Sequence, residues 1–216
     1  RDHFAPHVEA WDREGTFPTD AFRQAAQDGY IGLLVPPELG GKGYGFLEAA
    51  LVYQGLARTS APLTLGISTH SNMAYGIALM AETEEIKNIV RAAVTDPTFL
   101  TYGFTEQNAG SDPNSAESYA TPVNGGYRIN GRKIWATLGA QAAYVELTVK
   151  VGGPDKREMY TFLVDADSPG VTIGESYRKT GGNLLSTVDI CFEDCFVPES
   201  RVLSKEGYRG AMWAIG

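Results

Sequence analysis

The spacing of polar and apolar positions changes character near residue 97. Before it the spacing is helical. In FPTDAFRQAAQDGYIGLLVP, a cap at Thr19 or Asp20 precedes Phe22, Ala25, Ala26 and Tyr30 at helical intervals, and Gly29 marks a C-terminal stop. PPELGGKGYG reads as a loop, because its prolines and glycines prevent a helix from continuing. FLEAALVYQGLARTS repeats Leu47, Ala50, Leu51, Gln54 and Ala57 at i, i+3, i+4, the pattern of one helix face. TEEIKNIVRAAV predicts a further amphipathic helix, capped by Thr83, with Ile86, Ile89, Val90 and Val94 along its apolar side.

After Pro97 the apolar runs shorten. FLTYGFT, GYRINGRKIWAT, AYVELTVKV, MYTFLVD, GVTIGES and TVDICFEDCFV are rich in β-branched and aromatic residues and are separated by turn signals, so each predicts a strand. VNGGYRINGRKIW holds two Asn-Gly steps six residues apart, each able to supply the positive φ of a tight hairpin. Strands at this spacing without intervening helices predict antiparallel pairing in a sandwich or a small barrel. The tail SKEGYRGAMWAIG returns to helical spacing. The predicted class is α+β: an all-helical N-terminal domain over 1–97, an antiparallel β-barrel or sandwich domain over 98–203, and the start of a further helix in 204–216.

Composition narrows the function. Hydrophobic residues make up 43% and charged residues 20%, the mix of a folded globular chain. A net charge of −8 offers no basic face to displace counterions, which excludes nucleic acid as the expected partner. A nucleotide cofactor is compatible with it, since a few local donors hold a pyrophosphate. No apolar run approaches the ~20 residues of a membrane-spanning helix, so membrane insertion is not expected. Cys191 and Cys195, four apart on a predicted strand, would share a face yet lie too far apart for an easy disulfide, and read as free thiols in a reducing compartment. His3, His7 and His70 are scattered, so no zinc site is predicted. The chain starts at Arg1 without a signal-peptide pattern and stops in GYRGAMWAIG as an apolar periodicity begins, so both ends are expected to be cut.

Two stretches carry candidate chemistry. TEQNAGSDPNS leaves the first predicted strand. Thr105 offers a hydroxyl for the polar edge of a flat heterocycle, and the Ala109-Gly110-Ser111 turn offers backbone N–H groups to an anion. A plain β-turn accounts for the same residues. In GRKIWATLGAQAAY, Trp135 and Thr137 are two apart on a strand and point to one side, where an indole stacks on a planar ring beside a hydroxyl. A core tryptophan beside a satisfied threonine is the alternative.

Taken together and in order, these stretches resemble the middle domain of the acyl-CoA dehydrogenase family, which carries Thr-Glu-x-x-Ala-Gly-Ser-Asp followed by Asn-Gly-x-Lys-x-Trp-x-Thr-x-Gly-Ala. The likeness runs forward through GVTIGES, STVDICFEDCFVPESRVL and EGYRGAM, and back through AAQDGYIGLLVPPELGGKGYG. It implies a bound FAD lined by Tyr102, Phe104 and Thr105, with Thr105 bonding the pyrimidine edge. Gly110 and Ser111 would contact the pyrophosphate, and Ser111 also the pantetheine arm of the acyl-CoA substrate. Trp135 would pack on the ring, and Thr137 would donate toward its N5/O4 edge. The implied reaction is α,β-dehydrogenation of an acyl-CoA to a trans-2-enoyl-CoA, as in fatty acid β-oxidation, with an electron-transferring flavoprotein as acceptor. A homotetramer or dimer is implied too, in a bacterial cytoplasm or a mitochondrial matrix.

The family's catalytic base is a glutamate of a C-terminal helical domain that lies outside these residues, so none is assigned here. Glu48, Glu82, Glu84, Glu85 and Glu106 match no family role, and Glu106 should point away from the face of Thr105. Gln107-Asn108 stands where the family often has Pro-Gly. Ala136 stands where it often has Ile, a change expected to leave room beside the flavin. Met73, Tyr75 and Met80 read as core, and Arg178 and Lys179 as a solvated charge pair rather than a grip on CoA phosphates. The same scaffold also fits a non-catalytic flavin- or acyl-CoA-binding subunit, and an acyl-CoA oxidase or nitroalkane oxidase.

Overall fold

A computed structural model of the chain describes residues 4–96 and 98–207. The predicted helical start in the tail falls, from residue 208 onward, outside the described residues. Five α-helices come first: α1 (Val8–Glu14), α2 (Thr19–Gln27), α3 (Phe46–Ala57), α4 (Ala61–Met80) and α5 (Glu84–Thr95). Eight strands follow: β1 (Leu100–Gly103), β2 (Tyr119–Val123), β3 (Gly126–Thr137), β4 (Tyr144–Val151), β5 (Met159–Asp165), β6 (Val171–Ile173), β7 (Thr187–Pro198) and β8 (Val202–Ser204). The α+β reading holds.

Helix ends follow local chemistry. Thr83 caps α5 by accepting a bond from the Ile86 N–H, and Ile86, Ile89, Val90 and Val94 are buried as predicted. Gly29 ends α2 with φ +80°, its N–H on the Ala26 carbonyl. The cap of α2 is corrected: Pro18 holds that position, while Thr19 and Asp20 lie inside the first turn. The face of α3 is corrected as well. Leu47 (72% exposed), Leu51 (61%), Ala50, Gln54 and Ala57 face outward, and Ala49, Val52 and Tyr53 make the contacts. This helix is apolar on most sides, so periodicity alone does not select the packed one.

The strands form one curled sheet in the order β6-β7-β3-β2-β4-β5-β8, with β1 added beside β4. Val145, Leu147, Val149, Phe162, Val188, Ile190 and Phe192 fill its concave side, as in a barrel. Pairing is mostly antiparallel, but β1 and β2 both run parallel to β4, a correction to the predicted all-antiparallel sheet. The cause is that β1 enters from the helices and β2 from the turn-rich segment after it, so neither reaches β4 through a hairpin.

The two Asn-Gly steps do different work. Asn124-Gly125 closes the β2–β3 hairpin, with Gly125 at φ +81°. Asn130-Gly131 sits inside β3 opposite a bulge in β7, where Asp194 takes φ +51° and donates its N–H to Asn130 Oδ1 at 2.9 Å. Gly131 must lack a side chain there, since a Cβ would lie 2.1 Å from Ser118 Oγ. The bulge also shifts parity along β7. Cys195 is therefore buried in the sheet core while Cys191 is half-exposed, so the two thiols do not share a face as predicted; both are free.

A second core joins helices to sheet. Met73, Ala74 and Ile77 of α4 and Ile86, Val90 and Val94 of α5 pack with Leu100, Leu138, Leu163 and Leu203, and Tyr75 and Met80 border them; Met73 is core as expected, whereas Met80 also lines an open cavity with Leu79 and Leu203. At its centre, buried His70 donates from Nε2 to the Ala93 carbonyl (2.8 Å) and accepts at Nδ1 from the Leu100 N–H (3.3 Å). One neutral ring thus ties α4 to α5 and β1. Arg201 adds a bridge at the rim, reaching Glu85 of α5 at 3.0 Å and Asp165 of β5 at 3.5 Å.

Burial lowers the His70 pKa to about 4. Between its unfolded value near 6.5 and about 4 the unfolded chain binds the extra proton, so His70 makes stability fall as pH falls through that window. The slope is at most roughly 1.4 kcal/mol per pH unit. Denaturant melts across this range should show it, and His70→Gln, which keeps a donor and an acceptor, should remove it. An unchanged slope in the variant would contradict the assignment.

Candidate functional site

The site begins with a buried ion pair. Beyond β1, Glu106 and Ala109 exchange backbone bonds (2.9 and 3.2 Å) and close the TEQNA turn. The Glu106 carboxylate turns inward, accepting from the N–H groups of Glu117 (2.6 Å) and Ser118 (3.1 Å) and from Lys133 Nζ at 2.6 Å. Lys133, fully buried on β3, also donates to the carbonyls of Thr148 (2.8 Å) and Phe104 (3.3 Å). Alongside, the Ile134 N–H donates to the Thr105 carbonyl at 2.8 Å. The two candidate stretches are therefore pinned to each other. Burial alone would raise the Glu106 carboxyl, but the Lys133 charge and the bonds it accepts outweigh that and hold it below the ordinary carboxylate range. A carboxylate so engaged is unsuited to act as a base, in keeping with the sequence reading.

The next residues of β3 are re-aimed by a second bulge. Register slips between Lys133 and Ala136, and Trp135 takes φ +61°. Unbroken alternation would bury Trp135 with Lys133. Instead its indole is 54% exposed, while Ala136 is buried in the sheet core. Trp135 leans on Tyr177 (centroids 4.4 Å apart), whose hydroxyl donates to Asp189. Arg132 Nε holds the same carboxylate at 3.1 Å. Burial would raise Asp189, but the Tyr177 and Arg132 bonds keep it low, so it stays an acceptor. Trp135 and Thr137 then line a cleft of about 660 Å³ with Ala61, Pro62, Lys179 and Leu185.

The seven predicted residues fall into three groups. Trp135 and Thr137 share the cleft. Tyr102, in β1 and stacked on Phe104 with centroids 5.0 Å apart, and Thr105, on the segment leaving β1, are half-buried and reach β3 through the Thr105–Ile134 bond. Gly110 and Ser111 are exposed on the turn and do not line the cleft, and a Cβ on Gly110 would meet nothing within 4 Å. Two expectations are corrected. Ala136 faces the sheet core, so it opens no room beside a cofactor. Lys179 is not a solvated partner of Arg178: it lines the cleft, donates to the Leu185 carbonyl at 2.8 Å, and has its pKa lowered by burial. Sequence reasoning also missed Lys133, Tyr177 and Asp189. Only Lys133 left a signal, as the lysine of the Asn-Gly-x-Lys-x-Trp motif.

Removing one member of the buried pair should cost about 3–5 kcal/mol, because the other charge stays buried and unpaired. Lys133→Met should therefore destabilise by that amount in denaturant melts, and adding Glu106→Leu should restore part of it. A loss below about 1 kcal/mol in the single variant would show that the pair is not the fastener described.

Residues 1–95 match the model of "Acyl-CoA dehydrogenase, N-terminal domain" and residues 101–195 that of "Acyl-CoA dehydrogenase, middle domain". Benzylmalonyl-CoA dehydrogenase of Aromatoleum aromaticum is 34% identical over 206 residues, 95% of this chain and 54% of that protein. Butyryl-CoA dehydrogenase from Megasphaera elsdenii superposes with a TM-score of 0.89 at 26% identity, over 98% of this chain and 57% of that one. An acyl-CoA dehydrogenase complexed with FAD from Bacillus anthracis gives 0.85 at 25% identity, over 99% of this chain and 37% of that one. The chain spans about half the length of the curated relatives it matches. With both matched stretches contiguous and in family order, and the fold the same throughout, the chain belongs to the acyl-CoA dehydrogenase family.

Proposed function

We propose that these residues are the N-terminal and middle parts of an FAD-dependent acyl-CoA dehydrogenase that converts an acyl-CoA thioester to a trans-2-enoyl-CoA. The observation that carries the reading is Trp135, which a bulge with positive φ turns out of the sheet core and into an open cleft beside Thr137. An exposed indole on a fixed backbone is a stacking platform for a planar ring, and strained backbone of this kind clusters at ligand sites. The donor set suits FAD: a hydroxyl at Thr137, a small-residue turn at Gly110-Ser111 where a ligand meets no side chain, and a half-exposed Thr105 held at a fixed distance from β3.

FAD bound there supplies a two-electron acceptor for the hydrogen that leaves the β-carbon. The protein's part is to hold and orient. Trp135, braced by Tyr177, Asp189 and Arg132, fixes the plane of the ring. Thr137, whose carbonyl is anchored by Thr101 Oγ1 at 2.8 Å, places its hydroxyl toward the edge where electron density grows. Tyr102, Phe104 and Thr105 line the pyrimidine side, and Gly110 and Ser111 receive the pyrophosphate, with Ser111 also meeting the pantetheine arm. Glu106 is committed to Lys133 and unsuited to the part; the likeness to the family implies that the base taking the α-proton is a glutamate of a C-terminal helical domain. An electron-transferring flavoprotein as acceptor and a homo-oligomeric assembly belong to the same proposal. Among the described residues no helix is long and apolar enough to cross a membrane.

The full-length protein should purify yellow and be bleached anaerobically by at least one member of an acyl-CoA panel. Thr137→Ala should keep the cofactor and slow bleaching roughly 10²-fold. Trp135→Ala should weaken FAD binding by about tenfold or more, ~1.4 kcal/mol. A colourless protein that refuses FAD, or a yellow one that no acyl-CoA bleaches, contradicts the proposal. Rapid reoxidation by oxygen would move it to an oxidase of the same family.

A further inference from the structure

Glu146 of β4 has no place in the scheme above. Its side chain is fully buried, and neither carboxyl oxygen has a hydrogen-bond partner among the described residues. It does not face the sheet core, which takes Val145 and Leu147 on either side of it. It faces the helices, between its register partners Tyr102 on β1 and Leu163 on β5, both of which belong to the core shared with α4 and α5. The Tyr102 hydroxyl is likewise buried without a partner, although the rest of that residue is half-exposed beside Phe104. Tyr102 is thus the register partner of an orphan carboxyl and has a buried, unpartnered hydroxyl of its own, and on the cofactor reading its ring lines the FAD.

We propose that Glu146 is a positioning residue for Tyr102: protonated, it lets the tyrosine sit against the buried sheet face and complete the cofactor surface, and ionised, it drives that edge apart. The proposal rests on the cofactor reading above for its functional consequence, and on geometry alone for the coupling of the two side chains.

Among the described residues none pairs with a Glu146 carboxylate, and burial is the one influence acting on it. On β4 itself, Tyr144 lies under the Arg201 guanidinium at 5.5 Å and Thr148 bonds Thr161 at 3.0 Å. On β5, Leu163 is directly opposite, and Asp165, a further acid, is held by Arg201. From α4, His70 is neutral and committed to Ala93 and Leu100. From β3, the Lys133 ammonium is committed to Glu106, Phe104 and Thr148. Burial accordingly raises the Glu146 pKa to about 8, and raises that of Tyr102 first by burial and further by the Glu146 charge. The carboxyl is therefore neutral at pH 7 and becomes a buried, unpaired anion beside Tyr102 in mildly alkaline solution. A charge in that position must draw in water, and the side that opens is the one where Tyr102 already reaches the surface.

The test uses full-length holoprotein and the variants Glu146→Gln and Glu146→Leu, with FAD affinity and the flavin absorption spectrum followed from about pH 6.5 to about pH 9.5. The wild type should lose FAD affinity by about tenfold or more with a midpoint near 8, and both variants should be flat. Infrared difference spectra of the wild type, with or without flavin, should show a protonated carboxyl band that disappears with the same midpoint, together with a shift in a tyrosine ring mode that Tyr102→Phe removes. A yellow wild type with no alkaline change, or the same change in Glu146→Gln, overturns the proposal. So does an infrared spectrum without the carboxyl band at pH 7, or with a band that titrates while the Tyr102 mode stays still. A colourless protein refutes the cofactor reading instead, and the infrared titration then decides whether the two side chains are coupled.

Discussion

One buried contact, Lys133 with Glu106, makes the rest of the site possible. Lys133 comes from the strand that presents Trp135 and Thr137, and Glu106 from the turn that follows Tyr102, Phe104 and Thr105. Burying an ammonium and a carboxylate is costly, and an apolar pair of similar volume serves stability as well or better. The pair is therefore best understood through placement. Its extra bonds, to the carbonyls of Phe104 and Thr148 and from the N–H groups of Glu117 and Ser118, fix where the turn leaves the sheet. An apolar pair would fill the space without setting those directions.

Two irregularities in the pairing of β3 with β7 do the remaining work of aiming side chains. The Asp194 bulge in β7, received by Asn130 and Gly131, shifts the pairing by one residue. The Trp135 bulge shifts it back. Between them Lys133 points inward to its acid, and beyond them Trp135 and Thr137 point outward with Ala136 inward. A regular strand would place Lys133 and Trp135 on the same side, so one of the two functions would be lost.

Much of this was legible in the sequence, and the failures have a common physical source. The α5 face and its Thr83 cap, the positions of most strands, and the motif order that identifies the family all follow from local pattern. What was misread depends on parity or on non-local partners. Cys191 and Cys195 read as sharing one face because a bulge leaves no mark in alternation, and Asn130-Gly131 resembles a hairpin turn although it answers a bulge at Asp194, 64 residues further along the chain. The outer face of α3 has the same period as its inner one. Parallel pairing of β1 and β2 with β4 is set by where the helices deliver the chain. Nothing in the local pattern singles out Glu146, and only the packing of α4 and α5 over that face makes it a buried acid.

The central claim is that Lys133 and Glu106 act as one fastener for the cofactor surface. A double-mutant cycle with FAD affinity of the full-length protein as readout tests it most directly, using Lys133→Met, Glu106→Leu and the pair together. The account predicts that each single change weakens FAD binding and that the double variant is no weaker than either single. Independent, additive losses, or FAD affinity untouched by breaking the pair, would contradict it.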